Sequence, residues 1–313
     1  MDNNLEKKSF KTRLQDFFRK DNKNVDVKDE TNRAKVGKIV ALVFAYLFLA
    51  LVAVAIIFPF YWMINSSLKT LTEYKYSVPT FWPQSVQWSN YAEAFSTARL
   101  GNLMLNTILV GVVSTILSLV ITVLSAFAFA RLEFKGKNAL FAFLLATMMI
   151  PGELFTITNY ETVVVWFNWG NTFTALIVPF LVSVFYIYLL RQNFMQVPNE
   201  LYLAAKVDGT SDFKYLLKVM IPLALPTIIT ITILKMMGAW NSYIWPRLVA
   251  NDDAHKLITN GLRGTAFTVS GGNEINYPVQ MAAVAIVSLP LFCVFLFLRK
   301  YIMRGVSRSG IKG

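Results

Sequence analysis

The amino-acid sequence predicts an all-α fold, a polytopic membrane helix bundle with six transmembrane helices and both termini in the cytoplasm. Three observations carry that expectation. Of the 313 residues, 55% are hydrophobic, and the mean hydropathy of +0.49 is high for a soluble domain of this length. The apolar residues are gathered into runs of about 20, which at 1.5 Å per residue cross a hydrocarbon layer roughly 30 Å thick. The basic residues are concentrated in alternate connections between those runs.

Residues 1–38 hold eleven Lys/Arg, seven Asp/Glu and no apolar run. Leu5, Phe10, Leu14, Phe17 and Phe18 fall among Lys7, Lys8, Lys11, Arg13, Arg19 and Lys20. The pattern suits either a basic amphipathic helix on an anionic membrane face or a solvated tail. It is too long for the n-region of a signal peptide, and no A-x-A site follows the first apolar run. Candidate spans then cover 39–60, ended by Pro59, and 104–130. A third, 139–157, contains Pro151 and Gly152, and a fourth, 173–190, contains Pro179. The fifth covers 222–245 and the sixth 279–298, with Pro290 inside. Prolines within spans predict a packed bundle, where neighbouring helices re-satisfy the freed carbonyls. Ser114, Ser118, Ser125, Ala126 and Ala128 are small enough for close helix contact. The chain thus divides into an N-terminal tail (1–38), a transmembrane domain (39–300) and a C-terminal tail (301–313).

Orientation follows from the basic residues. The tails 1–38 and 299–313 and the loops 131–138 and 191–221 carry 23 of the thirty Lys/Arg. The opposite connections carry six, namely Lys69, Lys75, Arg99, Arg247, Lys256 and Arg263. The net charge of +12 is therefore mostly a topology signal, and nucleic acid is not an expected partner. The external segments are aromatic, with Tyr74, Tyr76, Trp82, Trp88 and Tyr91 in one and Trp166 and Trp169 in another. These suit an interfacial belt or a docking surface. Ser270, Gly271, Gly272 and Asn273 read as a flexible loop tip. No internal repeat of fixed period supports an inverted-repeat carrier.

The residues that would carry covalent chemistry are missing. One cysteine, Cys293, excludes an internal disulfide and a CxxC motif, and one histidine, His255, leaves no histidine cluster for a metal. His255, beside Asp252 and Asp253, reads as a solvated loop residue, and no catalytic set forms around it. The P-loop pattern G-x-x-x-x-G-K-S/T does not occur. No cofactor, metal or enzymatic activity is expected.

The connection 191–221 is long for a helix bundle. Asn199 is placed to cap a first short helix. Leu201, Leu203, Ala204, Ala205 and Val207 follow, with small residues in the middle that let another surface approach. Asp208 and Gly209 form a hinge, and Phe213, Leu216, Leu217 and Met220 begin a second amphipathic piece. From composition alone this is either a docking loop or a connector that caps the bundle.

The loop's residues also resemble a known family. L-A-A-K-V-D-G followed by I-P-L-A-L-P is similar to the E-A-A loop of the membrane subunits of ATP-binding-cassette (ABC) importers, in which E-A-A-x-x-x-G precedes I-x-L-P by about a dozen residues. Ala204, Ala205, Asp208, Gly209, Ile221 and Pro222 sit where that pattern asks. Leu203 stands in the Glu position and Thr210 replaces the usual Ala, so a polar contact made by that Glu is missing here. Further segments resemble the second permease of carbohydrate importers, among them P-F-Y-W-M-I-N-S-S-L-K at 59–69, A-F-A-F-A-R-L-E-F-K-G at 126–136 and L-L-R-Q-N-F at 189–194. A-W-N-S-Y-I-W-P at 239–246 and the tail R-G-V-S-R-S-G-I-K-G continue the match, which covers roughly 55–313 with its core at 100–300.

The resemblance implies a type-1 ABC importer permease in the cell membrane of a bacterium or archaeon, the inner membrane where there are two. It implies three protein partners besides lipid: a homologous permease, a cytoplasmic ATPase dimer and an extracytoplasmic sugar-binding protein. Residues 201–208 would be the coupling helix, with Leu201, Leu203, Ala204, Ala205, Asp208, Gly209 and Pro222 as coupling residues, and 305–313 a second ATPase contact. Lys235, Trp240, Asn241 and Tyr243 are the candidates for the translocation pathway. Lys235, mid-span, has two roles open to it: contact with an anionic sugar, or pairing with a partner's carboxylate or a freed carbonyl. The expected function is ATP-driven carbohydrate import. The alternatives are an importer permease for glycerol phosphate or polyamine, and a standalone secondary carrier.

Overall fold

The computed structural model describes residues 32–269 and 274–307. The N-terminal amphipathic pattern, the loop tip at 270–273 and residues 308–313 lie outside them. Among the described residues the chain is helical, with one isolated antiparallel bridge between Thr268 and Ile275. It divides at Tyr61 and Trp62 into two units.

The first unit holds most of α1 (Asn32–Ser67), a helix apolar all round, with Phe44 71% and Leu51 68% exposed. Pro59 does not end this helix, contrary to expectation; α1 continues to Ser67. One proline removes a single ladder bond, whereas stopping there would strand several carbonyls in an apolar surrounding.

In the second unit, α2 (Leu71–Tyr74) and α3 (Ser89–Thr97) precede the long α4 (Leu100–Arg131). Arg99, at φ 48, turns the chain between α3 and α4. This segment is built around a buried polar knot. Lys69 is 2% and Glu73 3% exposed. The Lys69 ammonium donates to the Thr80 carbonyl at 2.5 Å. Glu73 accepts from the Thr80 hydroxyl at 2.6 Å and from the Gln84 amide at 3.0 Å. Asn90 donates to the carbonyls of Ser67 and Lys69 at 2.8 and 2.9 Å. Burial pushes the Lys69 ammonium below its usual range, and Glu73 partly offsets that shift. The aromatic residues divide accordingly: Trp82 and Trp88 are exposed, while Tyr74 stacks on Tyr277 at 5.4 Å.

Further elements follow α4, of which Val184–Met195 and Ile221–Trp240 pack on it most. They are α5 (Lys137–Thr147), α6 (Thr156–Tyr160) and α7 (Phe173–Ile177), then α8 (Val184–Met195), α9 (Asn199–Val207) and α10 (Asp212–Tyr215). After them come α11 (Ile221–Trp240), α12 (Ile244–Val249), α13 (Ile258–Gly261) and α14 (Tyr277–Ser307). Small residues allow α4 its close neighbours. Gly111, Ser114, Ser118 and Ala126 are buried, and Ser125 and Ala128 half-buried. A Cβ on Gly111 would already lie 3.5 Å from Met236.

Among the described residues four helices are long and apolar enough to cross a membrane, or up to six if each of two bent pairs is one span. The third expected span is not continuous. Lys137–Thr147 and Gly152–Trp166 meet at 85°, because Pro151 has no N–H to donate and disfavours helical geometry in the residue before it. The fourth bends by 46° between Phe173–Phe180 and Val184–Met195. The fifth starts earlier than expected, at Asp212, and stops at Trp240, so Trp245 belongs to a separate helix, α12. A π-helical turn at Leu216–Met220 directly precedes Pro222; its wider ladder absorbs the bond that proline cannot make.

Glu73→Ala should destabilise the protein by about 1–3 kcal/mol, because the Gln84 amide and Thr80 hydroxyl lose a buried acceptor. Thermal unfolding in detergent would show it as a lowered midpoint, with Glu73→Gln milder because its amide oxygen still accepts.

Candidate functional site

The connection between α8 and α11 is held by two arginines. Arg131, the last residue of α4, donates to the carbonyls of Phe194 at 2.9 Å and Val197 at 2.5 Å, and to Asn199 Oδ1 at 3.2 Å. Arg191 of α8 answers with a bond from Nε to the Phe129 carbonyl at 3.1 Å, its guanidinium lying 4.1 Å from the Phe141 ring centroid. Helix ends leave carbonyls without intrahelical partners. Here the two helices satisfy each other's. Asn199 is therefore not the cap it was expected to be. Pro198 holds the cap position without a side-chain bond, and Asn199, the first residue of α9, receives Arg131.

Helix α9 turns Tyr202 and Ala205 toward a buried cluster that includes Phe194, Tyr215, Leu216 and Met220. Its other side is bare. Leu201, Leu203, Ala204, Val207, Asp208 and Gly209 are exposed, Val207 by 88%. The helix ends in a Schellman arrangement, with the Thr210 amide bonded to the Ala205 carbonyl and the Gly209 amide to that of Lys206. Gly209 sits at φ +70, which a glycine adopts without strain.

Across this hinge α9 and α10 are clasped by Asp212. It accepts from the Tyr202 hydroxyl at 2.7 Å and pairs with Lys206 at 2.7 Å, and Tyr202 meets the edge of Tyr215 at 5.2 Å. The bond to Asp212 raises the Lys206 ammonium above its usual range. The pair is thus complete at neutral pH and is lost as pH rises through that raised value, or as it falls far enough to protonate Asp212. Burial, then Asp212, raises the Tyr202 phenol. In the second amphipathic piece Leu216 and Met220 are buried, while Phe213 and Leu217 are exposed. Pro222 is exposed at the start of α11.

A cavity of about 360 Å³ lies where α4, the bend before α8 and the end of α11 meet. Ser183, extended at φ −128 and ψ 110, interrupts the helix before Val184, so the Phe180 carbonyl leaves the ladder. Lys235 of α11 donates to that carbonyl at 2.5 Å. Ser114, Ser183, Tyr186, Ser242 and Trp245 line the same space. Of the four residues expected on a pathway, the structure brings Lys235 here. Trp240 is instead buried among Ala94, Leu100, Leu103 and Val279. Asn241 donates to the Met237 carbonyl of its own helix, and Tyr243 accepts from Arg247. Trp245, the last aromatic of the A-W-N-S-Y-I-W-P segment, does line the space, whereas sequence reasoning missed Ser242 because helical spacing ends with α11 at Trp240. It quoted the segments holding Arg131 and Arg191 without giving either a role.

His255 is not solvated as expected. It is half-buried, with Nδ1 2.8 and 2.9 Å from the Asp252 carboxylate oxygens and its ring 4.7 Å from that of Phe173.

Residues 118–308 match the family described as binding-protein-dependent transport system inner membrane component. The chain belongs to this family. A probable ABC transporter permease protein of Mycoplasma genitalium is 30% identical over 293 residues, 88% of this chain and 90% of the relative. The melibiose/raffinose/stachyose import permease protein of Bacillus subtilis is 31% identical over 269 residues, 84% and 94% of the two chains. A chain of a bacterial ABC transporter involved in the import of the acidic polysaccharide alginate shares the fold. Its TM-score is 0.75 at 21% identity, over 88% of this chain and 99% of that one. A multi-pass membrane component of a binding-protein-dependent system is what the chain is.

Asp212→Ala should loosen the hinge of this permease. Losing the Tyr202 hydrogen bond removes about 1 kcal/mol of local stability, an approximately fivefold faster amide exchange, and the exposed Lys206 pair adds little to it. Hydrogen exchange over 199–212 would measure it, with residues of α4 unchanged.

Proposed function

We propose that the permease is one half of a heterodimeric pathway in an ATP-driven carbohydrate importer, working by alternating access. The observation that carries the reading is α9, a short helix with a bare apolar side, a glycine-closed end and a direct arginine link to α4. Exposed apolar surface of this kind marks a docking site. A cytoplasmic ATPase dimer is the occupant that the family and the E-A-A resemblance support, and the absence of a P-loop sequence means the chain borrows its ATP hydrolysis. Leu201, Leu203, Ala204, Asp208 and Gly209 form the contact, with Ala205 behind them packed on the buried cluster and Pro222 at the start of the span that α9 moves. The second ATPase contact is the tail 305–313.

Each bent pair counts as one span in this reading, giving six, with both termini cytoplasmic as the charge distribution supports. Residues 39–300 are the transmembrane domain between the tails 1–38 and 301–313. Nucleotide-driven closure of the ATPases pushes α9. The Asp212 clasp passes the movement to α11 and Arg131 passes it to α4, so the bundle rocks as a body between inward- and outward-facing states. A homologous permease completes the pathway, lipid surrounds it, and an extracytoplasmic sugar-binding protein delivers substrate to the external loops. Sugar is favoured as cargo by the relative that imports melibiose, raffinose and stachyose and by the A-W-N-S-Y-I-W-P segment. Lys235 lines the pathway with Ser242 and Trp245; Trp240, Asn241 and Tyr243 support and flank it.

Gly209→Asp tests the coupling role. An aspartate at positive φ costs about 1–2 kcal/mol of backbone strain and adds charge to the contact. Uptake should fall at least about tenfold, while membrane insertion and assembly with the paired permease stay intact. Gly209→Ala shares the backbone strain but adds no charge, and its Cβ meets nothing within 4 Å, so its uptake should fall less. Normal transport by Gly209→Asp would refute the role of α9. Topology is tested separately, in a Cys293→Ser background: an impermeant thiol reagent added outside whole cells should label Trp82→Cys and not Leu203→Cys.

A further inference from the structure

The cavity beside Lys235 holds a charge that nothing around it neutralises. An ammonium carries three N–H donors, and Lys235 engages one acceptor, the Phe180 carbonyl. Among the described residues it makes no ion pair, and the residues lining the cavity include no Asp or Glu. A lysine at mid-span costs roughly 2.5–3.5 kcal/mol on insertion scales. The need of one stray carbonyl does not explain that cost. The Ala175 carbonyl, released at the same bend region, is met at 2.9 Å by a neutral donor, Trp245 Nε1. A cation where an uncharged donor suffices is a cation kept for its charge.

The rest of the wall has a definite chemistry. Ser114, Ser183, Tyr186 and Ser242 bring hydroxyl-bearing side chains, and Phe180 and Trp245 meet edge to face at 5.4 Å to form an apolar corner. Hydroxyls match the polar edge of a sugar ring, and an aromatic corner matches its C–H face. A volume of about 360 Å³ lies at the small end of the usual range for small-molecule sites. We propose that this cavity is a subsite for an anionic carbohydrate, its carboxylate or phosphate held by Lys235 and its hydroxyls by the surrounding serines and Tyr186. The proposal rests on the transport reading above and adds the charge class of the cargo.

The test uses the whole importer, this permease with its paired permease, ATPase and binding protein, in proteoliposomes. ATP-dependent uptake is measured for labelled digalacturonate, glucose 6-phosphate and glycerol 3-phosphate, and for uncharged maltose and raffinose. Digalacturonate against the two phosphates separates a carboxylate from a phosphate ligand. Uptake of an anionic probe should exceed that of the neutral sugars. Lys235→Met should lower it about tenfold, the worth of a hydrogen bond to a charged group. Lys235→Arg should keep it, and neutral uptake should not change. Size-exclusion chromatography of each variant separates a failure of assembly from a failure of recognition. Uptake confined to neutral sugars would overturn the proposal while leaving the permease reading intact. So would an equal loss of both classes in Lys235→Met, which would make Lys235 the counter-ion of a carboxylate on the paired permease. An assembled, ATP-hydrolysing complex that takes up none of the probes would overturn both this proposal and the carbohydrate reading beneath it.

Discussion

Hydrocarbon offers no hydrogen bonds, so a helix that breaks inside a membrane must find other partners for the carbonyls it releases. That requirement organises this protein. Its spans are interrupted near Pro151 and Pro179 and run through a π-helical turn before Pro222. Several released carbonyls, at helix ends as well as at breaks, are met by a side chain reaching across from a neighbouring element. Arg131 covers Phe194 and Val197, Arg191 covers Phe129, Trp245 covers Ala175, and Lys235 covers Phe180. Each such bond ties two helices together at the point where one of them has given up its own ladder. The breaks therefore serve as the joints of the bundle.

Those joints also link the loop to the pathway. Arg131 joins α4 to the start of α9, and α4 runs on to contribute Val110 and Ser114 to the cavity wall. Asp212 clasps α9 to the helical run that carries Lys235. Helix α9 is thus bonded to both of the long elements that contribute to the walls of the cavity. One side of α9 is bare, and the clasped side packs on the buried cluster around Phe194 and Met220.

Much of this was legible in the linear order of residues, for reasons that can be named. Apolar runs, the lysine and arginine asymmetry and the L-A-A-K-V-D-G segment depend on local composition, and so did the hinge at Asp208 and Gly209. The hinge was readable because a helix closing through positive φ favours glycine. Asn199 was misjudged for a related reason. Its residue type suits a cap, but the choice between capping its own helix and accepting from Arg131 belongs to a residue 68 positions away. Pro59 was misread because a proline's local preference to break a helix lost to the cost of exposing backbone.

The cavity lay further beyond reach. Trp240, Asn241, Tyr243 and Trp245 are neighbours in sequence, yet the end of α11 at Trp240 sends them to different places: one into the core, two outward and one into the cavity wall. The sequence by itself determined that the chain is a membrane helix bundle, in which connections its basic residues concentrate, and which loop is long and mixed in composition, since each of these is a property of segments. Only the tertiary structure decided where the spans bend, which carbonyls those bends release, and which side chains come together around Lys235. Those outcomes depend on bonds between elements far apart in the chain, and no local pattern records them.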